Sequence, residues 1–261
     1  MFRALSSSAT GMEAQQSLID VVANNIANVN TAGYKKSRAD FADLLYETIR
    51  APGTSAAEGR EVPVGVQLGH GTKLTATQMS FSPGTLKKTD NPLDLAIEGS
   101  GFCLVSNPDG NTAYTRAGTF KTDSQGRLTT VDGNLMEPAM TVPPDAVKIN
   151  VGKDGTVSAL LAGQTQPTQL GKLQLAGFAN PAGLSRIGDN LYLETAASGP
   201  ARQGAPGQNE LGTISQGFLE MSNVKVVEEM IELIVGQRAY EANSRVIKAA
   251  DEMLRATAQL R

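Results

Sequence analysis

The sequence predicts an α+β protein in which long N- and C-terminal helices form a coiled-coil core domain and an antiparallel β-rich middle domain projects outward. All twelve prolines lie between Pro52 and Pro206, so both ends of the 261-residue chain are free to be helical. Apolar residues recur at every seventh position near both ends, which is the spacing of a coiled-coil seam. Between the ends, Asp-Gly pairs separate short alternating apolar runs, a pattern typical of β-hairpins.

The composition argues against several classes of protein. Charged residues make up 19% of the chain, the net charge is -3 and no basic stripe occurs, which argues against a nucleic-acid partner. No apolar run approaches ~18 residues, so no membrane span is expected. The first residues lack the features of a cleaved signal peptide, so we expect a cytosolic protein or one exported without such a signal. Cys103 is the only cysteine, which excludes an internal disulfide bond.

Residues 1–35 are predicted to contain the N-terminal helix of the coiled-coil core, from Arg3 to Asn30. Bulky residues spaced by seven form one row of its seam, and smaller or polar residues form a second row three positions later. The bulky row consists of Leu5, Met12, Ile19 and Ile26. Gly33 is expected to end the helix in the left-handed conformation, and Lys35 follows where a cation favours a helix end.

Residues 36–92 are predicted to connect the core to the outer domain. Phe41 and Leu45 are four positions apart, which favours a further helical turn or two with one apolar side. A stretch of small and polar residues, broken by Pro52-Gly53, then leads to a strand in which apolar residues alternate. The alternating residues are Val62, Val64, Val66 and Leu68.

Residues 93–212 are predicted to form the β-rich outer domain. Leu93, Leu95 and Ile97 alternate with other residues, which predicts a half-buried strand. Hairpin turns are expected where Asp precedes Gly between short apolar runs. The pairs are Asp109-Gly110, Asp132-Gly133 and Asp154-Gly155.

Residues 213–261 are predicted to return to the core and to contain its C-terminal helix, capped by Ser222 or Asn223. Seam residues recur every seventh position, and a flanking row follows four positions later. The seam consists of Val226, Leu233, Tyr240, Ile247 and Leu254, and the flanking row of Met230, Gln237 and Ser244. Two such helices would pair, and their remaining surfaces would let many copies stack into a helical filament.

Several stretches resemble the bacterial flagellar axial proteins, the rod and hook subunits. The run ANNIANVNTAGYK resembles their signature, which reads ANNLAN, two variable residues and then T-x-GFK, with Ile26 as a conservative replacement for Leu. The signature residues are Ala23, Asn24, Asn25, Ala27, Asn28, Thr31, Gly33, Tyr34 and Lys35, where Tyr34 replaces Phe. The runs AYTRAGTFKTDSQGRL and QRAYEANSRVIKAADEML also match family segments, so the resemblance covers nearly the whole chain.

The resemblance implies a structural subunit of a helical homopolymer, similar to the subunits of the distal rod. Such a rod is a rigid hollow drive shaft that spans the periplasm in the basal body and transmits torque to the hook. The implied partners are copies of the chain itself, proximal rod and hook subunits, the surrounding P- and L-ring proteins, and the flagellar type III export apparatus. Another axial subunit, of the proximal rod or the hook, is the alternative.

The same resemblance implies roles for two further segments. Phe41 and Leu45 resemble a motif that the export gate recognises, and simple core packing is an equally good interpretation. The stretch 46–69 resembles the segment that distinguishes distal rod subunits from hook subunits, and we expect it to make the rod rigid. Its marker residues are Tyr46, Pro52, Gly53, Pro63 and Gly69.

An enzyme is the main alternative from another class. His70 and Cys103 are the only residues of their types, but nothing in the sequence brings them together. The run Glu98–Gly101 lacks the spacing of a phosphate-binding loop. Asp90 and Asp94 fit solvated strand positions better than a metal site. We therefore expect no enzyme activity, no cofactor and no bound metal.

Overall fold

The computed structural model describes residues 2–52, 55–57, 60–61, 64–107 and 110–259. The chain divides into two compact units. The first consists of Met1–Ala27, Ser37–Gln78 and Lys225–Arg261, and the second of Asn28–Lys36 and Met79–Val224. Long helices near both ends and antiparallel sheets in the middle confirm the predicted α+β class.

Two long helices dominate the first unit. Helix α1 spans Phe2–Ala27 and helix α2 spans Val226–Gln259. Both lack proline, and their apolar residues follow the helical period. Glu228 and Glu229 lie in the first turn of α2, where the helix dipole favours negative charge. Among the helices of the described ranges, none is both long enough and apolar enough to cross a membrane.

The two helices pack antiparallel. Near the end of α1, Asn25 Nδ2 donates a hydrogen bond to Glu229 Oε2 near the start of α2, over 3.0 Å. Near the start of α1, Gly11 faces Asn243 in the second half of α2, and a Cβ added to Gly11 would lie 2.8 Å from Asn243 Nδ2. The absence of a side chain at Gly11 therefore lets the two helices approach closely.

The inward row of α2 differs from the predicted flanking row. It lies three positions after the seam and consists of Glu229, Gly236, Asn243 and Ala250. The predicted flanking row, four positions after the seam, lies beside this contact: Met230 and Gln237 are exposed and Ser244 is half-buried. A Cβ added to Gly236 would lie 3.3 Å from Ile19 Cγ1, so close packing selects small residues here over apolar ones.

Helix α1 ends at Ala27, three residues before the predicted Asn30. The Asn28 carbonyl oxygen accepts the Thr31 N–H over 3.1 Å, and Asn28 Oδ1 accepts the Thr31 hydroxyl over 3.2 Å. These local bonds compete with helical ones and favour a turn. Gly33 is left-handed as predicted, with φ +72°, but it lies beyond the helix and does not serve as its C-cap.

The strands of the first unit form two-stranded ribbons. They are β1 (Ser37–Asp43), β2 (Tyr46–Arg50), β3 (Ser55–Ala57), β4 (Arg60–Glu61), β5 (Val66–Gly69) and β6 (Thr72–Met79). Strand β1 pairs with β6, β2 with β5 and β3 with β4. The helical turn predicted from Phe41 and Leu45 is wrong, because Phe41 lies in extended β1. Pairing with β6 outweighs the four-residue apolar spacing.

The second unit carries sixteen further strands among its described residues. They are β7 (Leu86–Lys88), β8 (Leu95–Glu98), β9 (Phe102–Ser106), β10 (Thr112–Thr115), β11 (Phe120–Thr122), β12 (Leu128–Thr130), β13 (Leu135–Glu137), β14 (Ala146–Val151), β15 (Thr156–Leu161), β16 (Thr168–Lys172), β17 (Leu175–Gly177), β18 (Ser185–Gly188), β19 (Leu191–Leu193), β20 (Arg202–Gly204), β21 (Thr213–Gln216) and β22 (Phe218–Glu220). A short 3-10 helix lies at Pro181–Gly183.

The main sheet of this unit has nine strands. Seven follow the order β11-β12-β13-β9-β10-β19-β18, and β17 pairs with both β9 and β20. A second sheet has the order β14-β15-β16, and two ribbons pair β21 with β8 and β22 with β7. The larger buried cluster is formed by side chains from the main sheet and its neighbours. Among its fully buried members are Val105, Phe120, Met136, Leu175 and Ile214.

The hairpins predicted from Asp-Gly pairs are confirmed where the structure describes them. Gly133 turns β12 into β13 with φ +90°, and Gly155 turns β14 into β15 with φ +82°. Gly110 lies between the paired strands β9 and β10, whereas Asp109 lies outside the described residues. Glycine tolerates the positive φ that these tight turns require.

The predicted caps of α2 lie too early in the chain. The helix begins at Val226, and Ser222 Oγ accepts the N–H of Val224 over 3.3 Å. Asn223 Oδ1 accepts the Lys36 N–H over 2.8 Å, and Asn223 Nδ2 donates to the Ser80 carbonyl oxygen over 2.9 Å. The Asn223 side chain, predicted to cap α2, instead forms long-range hydrogen bonds within the second unit.

Candidate assembly surface and signature cluster

Asn25 is the buried signature residue of the first unit. Its Nδ2 donates to the Ser37 carbonyl oxygen over 2.8 Å and to Glu229 Oε2 over 3.0 Å, and its Oδ1 accepts the Ser37 N–H over 2.9 Å. An amide supplies a donor and an acceptor together, so Asn25 joins α1 to the start of β1 and to α2. The exposed signature residues on α1 are Ala23, Asn24 and Ala27.

Gly33 occupies a position that only glycine fits. It is buried, its φ is +72°, and its N–H donates to the Glu220 carbonyl oxygen over 2.8 Å. A Cβ at this position would lie 2.5 Å from Ala117 N and 2.6 Å from the Arg116 carbonyl carbon. Both the left-handed backbone and the lack of space exclude a side chain.

We expect Gly33→Ala to destabilise the second unit by about 2–4 kcal/mol, because left-handed strain adds to steric overlap with buried backbone. Gly163→Ala is the matched control, since Gly163 has φ +82° and no atom within 4 Å of the added Cβ. The control should lose only about 1 kcal/mol from backbone strain. Urea unfolding followed by tyrosine fluorescence measures both, and equal losses would show that the contacts of Gly33 do not matter.

Three buried charged side chains from distant parts of the chain form what we call the signature cluster: Lys35, Arg116 and Glu220. Lys35 Nζ lies 2.6 Å from Glu220 Oε1, and Arg116 Nε lies 2.7 Å from Glu220 Oε2. All three side chains are at most 3% exposed. One carboxylate thus pairs with two cations, one from the signature and one from the AYTR run.

The remaining polar atoms of the cluster are also bonded. Lys35 Nζ donates to the Ser82 carbonyl oxygen over 2.8 Å, and the Gly84 N–H donates to Glu220 Oε1 over 2.8 Å. The Arg116 guanidinium donates to three backbone carbonyl oxygens. These belong to Ile97, Gly99 and Gly101. Such complete bonding is what a buried charge requires.

The pKa values in the cluster reflect both burial and charge. Burial favours the neutral acid at Glu220, but attraction by Arg116 and hydrogen bonds from Lys35, Arg116 and the Gly84 N–H together lower its pKa below the ordinary 4.5. Burial also lowers the pKa of Lys35 below its ordinary 10.5, against the opposing hydrogen bond to Glu220. The carboxylate therefore stays ionised at neutral pH and keeps the cluster paired.

Tyr34, the signature residue that replaces Phe, is buried beside a cation. The Arg186 guanidinium carbon lies 5.4 Å from the centre of the Tyr34 ring, a cation–π distance. Arg186 Nη2 donates to the Lys35 carbonyl oxygen over 2.5 Å. Arg186 therefore contacts the signature turn through both the Tyr34 ring and the backbone, and no sequence motif indicates this contact.

The seam residues are only partly covered by their own chain. Every residue of the seam on both helices is half-buried, except Tyr240, which is 41% exposed. Ile19 contacts the position of Gly236, so part of the seam is used between α1 and α2. Their role in polymerisation stays a prediction.

A second apolar surface of α2 was missed by the sequence analysis. Five large apolar residues near the start of the helix are 51–71% exposed. This uncovered face of α2 consists of Val227, Met230, Ile231, Ile234 and Val235. They lie on the side of the helix opposite Glu229 and Gly236, which face α1. The start of α2 therefore packs against α1 on one side and leaves an apolar side exposed on the other.

The predicted export and rigidity residues lie on or next to the ribbons of the first unit. Leu45 is 86% exposed and Phe41 is 38% exposed. Tyr46 pairs with Gly69 at one end of the β2–β5 ribbon. The exposed large apolar residues of this ribbon are Tyr46, Ile49, Val66 and Leu68. Pro52 lies in the turn after β2, whereas Gly53 and Pro63 lie outside the described residues.

The lone thiol is part of the core. Cys103 is buried in β9, and burial raises its pKa to about 12. A thiol with such a pKa is protonated at neutral pH and is a poor nucleophile.

Two buried acidic residues that join distant parts of the chain, Glu220 and Glu229, were not identified from the sequence. Both are acidic residues in the return segment and at the start of α2, and both are about 1–2% exposed. Glu220 stands among Phe218, Leu219 and Met221, and a charge inside an apolar strand is the signal that could have revealed it.

Comparison with known families matches most of the chain. Residues 5–35 match the family described as "Flagella basal body rod protein". Residues 96–159 match "Flagellar hook protein FlgE/F/G D1 domain", and residues 215–260 match "Flagellar basal body rod FlgEFG protein C-terminal". The three matches cover the seam helices, the signature and the start of the β-rich middle.

Several whole-chain relatives from different bacteria carry the same name. The chain is 51% identical to the "Flagellar basal-body rod protein FlgG" of Caulobacter vibrioides, over 99% of both chains. It is 47% identical to that of Borreliella burgdorferi, over 97% of both chains, and 41% identical to that of Bacillus subtilis, over 100% of both. The chain belongs to the FlgG family of flagellar basal-body rod proteins.

Proposed function

We propose that this chain is a structural subunit of the flagellar distal rod and polymerises helically into the rigid, hollow drive shaft that transmits torque to the hook. The observation that carries the proposal is the uncovered face of α2, with its five exposed apolar side chains. Monomeric proteins rarely leave such a continuous apolar stripe in water. Family membership makes another copy of the chain the natural occupant of this face.

The energetics support assembly through this face. Burying one large apolar side chain contributes about 1.5–3 kcal/mol, so several of them can offset the entropy lost on association. A copy that contacts the face with a different part of its surface makes a heterologous contact, and such contacts extend into a helical filament when they do not close. In this proposal α1 and α2 form a coiled-coil core, and the seam is shared between neighbouring copies.

In this proposal each part of the chain has a place in the assembled rod. Residues 1–35 and 213–261 form the core, 36–92 connect it, and 93–212 form a β-rich domain that projects outward. The P- and L-ring proteins surround the rod, proximal rod and hook subunits adjoin it, and the rod spans the periplasm. The type III export apparatus delivers the subunit without a cleaved signal peptide. Exposure of Phe41 and Leu45 supports their reading as an export motif.

Electron microscopy of basal bodies from a strain that lacks this chain tests the proposal. A shaft that ends before the distal rod is the expected result. A complete rod that lacks only the hook, or a shaft missing its proximal part, would instead support the alternative of a hook or proximal rod subunit. Intact and functional flagella would contradict both readings.

The β2–β5 ribbon is proposed to make the rod rigid. Bending requires neighbouring subunits to slide, and an extra ribbon with exposed apolar residues would oppose sliding by contacts that fit only one spacing. Deleting residues 48–61 removes Ile49 and most of β2, so the ribbon and part of its exposed apolar surface are lost. We expect the shortened subunit to assemble into a curved or flexible rod. A straight rod in electron micrographs would contradict this role.

A further inference from the structure

The side of α1 that faces away from α2 carries a continuous stripe of small and polar residues. Its members recur at alternating steps of three and four residues, so they lie on one side of the helix. This outer face of α1 consists of Ser6, Ala9, Glu13, Gln16, Asp20, Ala23 and Ala27, all of them exposed. It lies opposite Gly11, Ile19 and Asn25, which contact α2. Both helices of the pair therefore have an exposed outer side, which is small and polar on α1 and apolar at the start of α2.

The two outer sides carry opposite charges at the same spacing. After Arg3, the only charged residues of α1 are Glu13 and Asp20, which are seven positions apart. Arg238 and Arg245 are also seven positions apart, and they lie on the side of α2 that carries its uncovered face. These two acidic and two basic residues are exposed, and none of the four takes part in an ion pair with another described residue. Seven residues make about two helical turns, or ~10.5 Å, so both charges of one helix can meet both charges of another.

We propose that the outer face of α1 in one copy packs antiparallel on the uncovered face of α2, and on the arginines that follow it, in the next copy; this inference rests on the proposed helical assembly. In one register all four charges are paired and two alanines meet large apolar residues. The facing pairs are Asp20 with Arg238, Glu13 with Arg245, Ala23 with Val235, and Ala27 with Ile231. Opposite charges fix the register, and small side chains let the two helices approach closely. Because the two faces differ, each copy binds the next in the same way and the contact extends into a filament.

The antiparallel direction is favoured by the residues that meet the apolar side chains. A parallel helix could also pair the charges, with Glu13 opposite Arg238, but it would place Ser6 against Ile231. A hydroxyl packed against an apolar side chain loses hydrogen bonds to water, whereas the methyl group of Ala27 loses none. Antiparallel helices also have opposed dipoles, which attract each other.

Exchanging the two charges of one facing pair tests the proposal. Arg238→Glu should lower the number of complete rods per cell by about tenfold, because like charges at an interface repel strongly. Adding Asp20→Arg to the same chain should restore the rods, since every contact then contains the reversed pair. Electron microscopy of basal bodies and motility in soft agar measure both effects. Arg238 and Asp20 are exposed, so circular dichroism of the purified variants should be unchanged.

Lys248→Glu is the matched control, because Lys248 faces the uncharged Thr10 in this register. It should assemble normally. Normal rods in Arg238→Glu would overturn the proposal, and so would a failure of Asp20→Arg to restore them or restoration by Glu13→Arg in its place. Each of these outcomes leaves the proposed function intact when a strain lacking the chain still forms no distal rod.

Disulfide crosslinking of isolated rods gives a second measurement that does not depend on motility. Ala23→Cys combined with Val235→Cys should yield multimers on non-reducing gels after oxidation with copper phenanthroline. Ala9→Cys combined with Ile234→Cys, which face each other only in the parallel direction, should stay monomeric. The native Cys103 is buried and its pKa is raised to about 12, so it does not interfere. Multimers from the second pair, or from neither pair, would overturn the proposed register.

Discussion

Ile231→Asp combined with Ile234→Asp is expected to abolish rod assembly and leave the monomer folded. Both side chains are more than half exposed on the uncovered face of α2, so the change removes little packing within the chain. In the assembled rod, each buried isoleucine would contribute about 1.5–3 kcal/mol, roughly a tenfold to hundredfold effect on each contact. Two aspartates add the cost of desolvating charge. Motility assays and electron microscopy of basal bodies measure the loss.

Lys248→Asp is the matched control for this pair of substitutions. It changes the net charge by the same two units, and Lys248 is an exposed residue of the same helix. We expect normal motility from the control and unchanged circular dichroism from both purified variants. Motile cells carrying the double substitution would show that the uncovered face of α2 is not part of the assembly interface.

Glu220→Gln is expected to cost about 3–5 kcal/mol of the free energy of unfolding of the second unit. The change leaves the buried cations Lys35 and Arg116 without a counter-charge, and the new amide NH2 faces donors where the carboxylate accepted bonds. Typical domains are stable by only about 5–15 kcal/mol, so the loss is a large share. Urea unfolding at pH 7 measures it. Lys172→Gln, at an exposed ion pair with a 3.8 Å separation from Asp154, should leave the unfolding midpoint unchanged.

The difference in unfolding free energy between the unaltered chain and Glu220→Gln is expected to depend on pH. Because the folded-state pKa of Glu220 lies below its ordinary 4.5, the unfolded state binds more protons once the pH falls below that value. The stabilisation from this carboxylate is therefore fully present above pH 4.5 and is lost as the pH falls through the folded-state pKa. The difference between the unaltered chain and Glu220→Gln should shrink in acid. A difference that stays constant to low pH would mean that Glu220 does not act through its charge.

Much of the architecture is predictable because its signals are local. Proline-free ends with a seven-residue apolar repeat correctly indicate two terminal helices, and Asp-Gly pairs correctly place hairpin turns. The signature of residues 23–35 correctly identifies the family. Each signal depends on residues within a few turns of helix or a few strand positions, where chain geometry alone decides the outcome.

The wrong predictions concern residues whose structure depends on contacts with distant parts of the chain. The spacing of Phe41 and Leu45 suggests a helix, but pairing with β6 makes this segment a strand. The sequence suggests that Asn223 caps α2, but its side-chain amide forms hydrogen bonds with Lys36 and Ser80. The inward row of α2 contains no large apolar residue, and at Gly236 the close approach of α1 leaves no room for one; no pattern within α2 alone reveals that.

The signature cluster shows the same limit for the candidate site. Lys35 and Arg116 belong to recognisable motifs, but their common partner Glu220 lies more than a hundred residues from either of them. The sequence motifs therefore identify the two cations of the cluster, but they do not reveal the buried carboxylate that pairs with both. Lys35 looks like a cation placed at a helix end, whereas it is fully buried in an ion pair.

Protection of a thiol at position 234 tests assembly through α2 most directly. The native Cys103 is buried and its pKa is raised to about 12, so the thiol of an Ile234→Cys variant is the only readily reactive one among the described residues. The measurement compares the rate of maleimide modification in dissociated subunits and in isolated rods. Rapid modification of the subunits and protection in the rods is the predicted result. Equal rates in both states would contradict burial of the uncovered face of α2 between neighbouring copies.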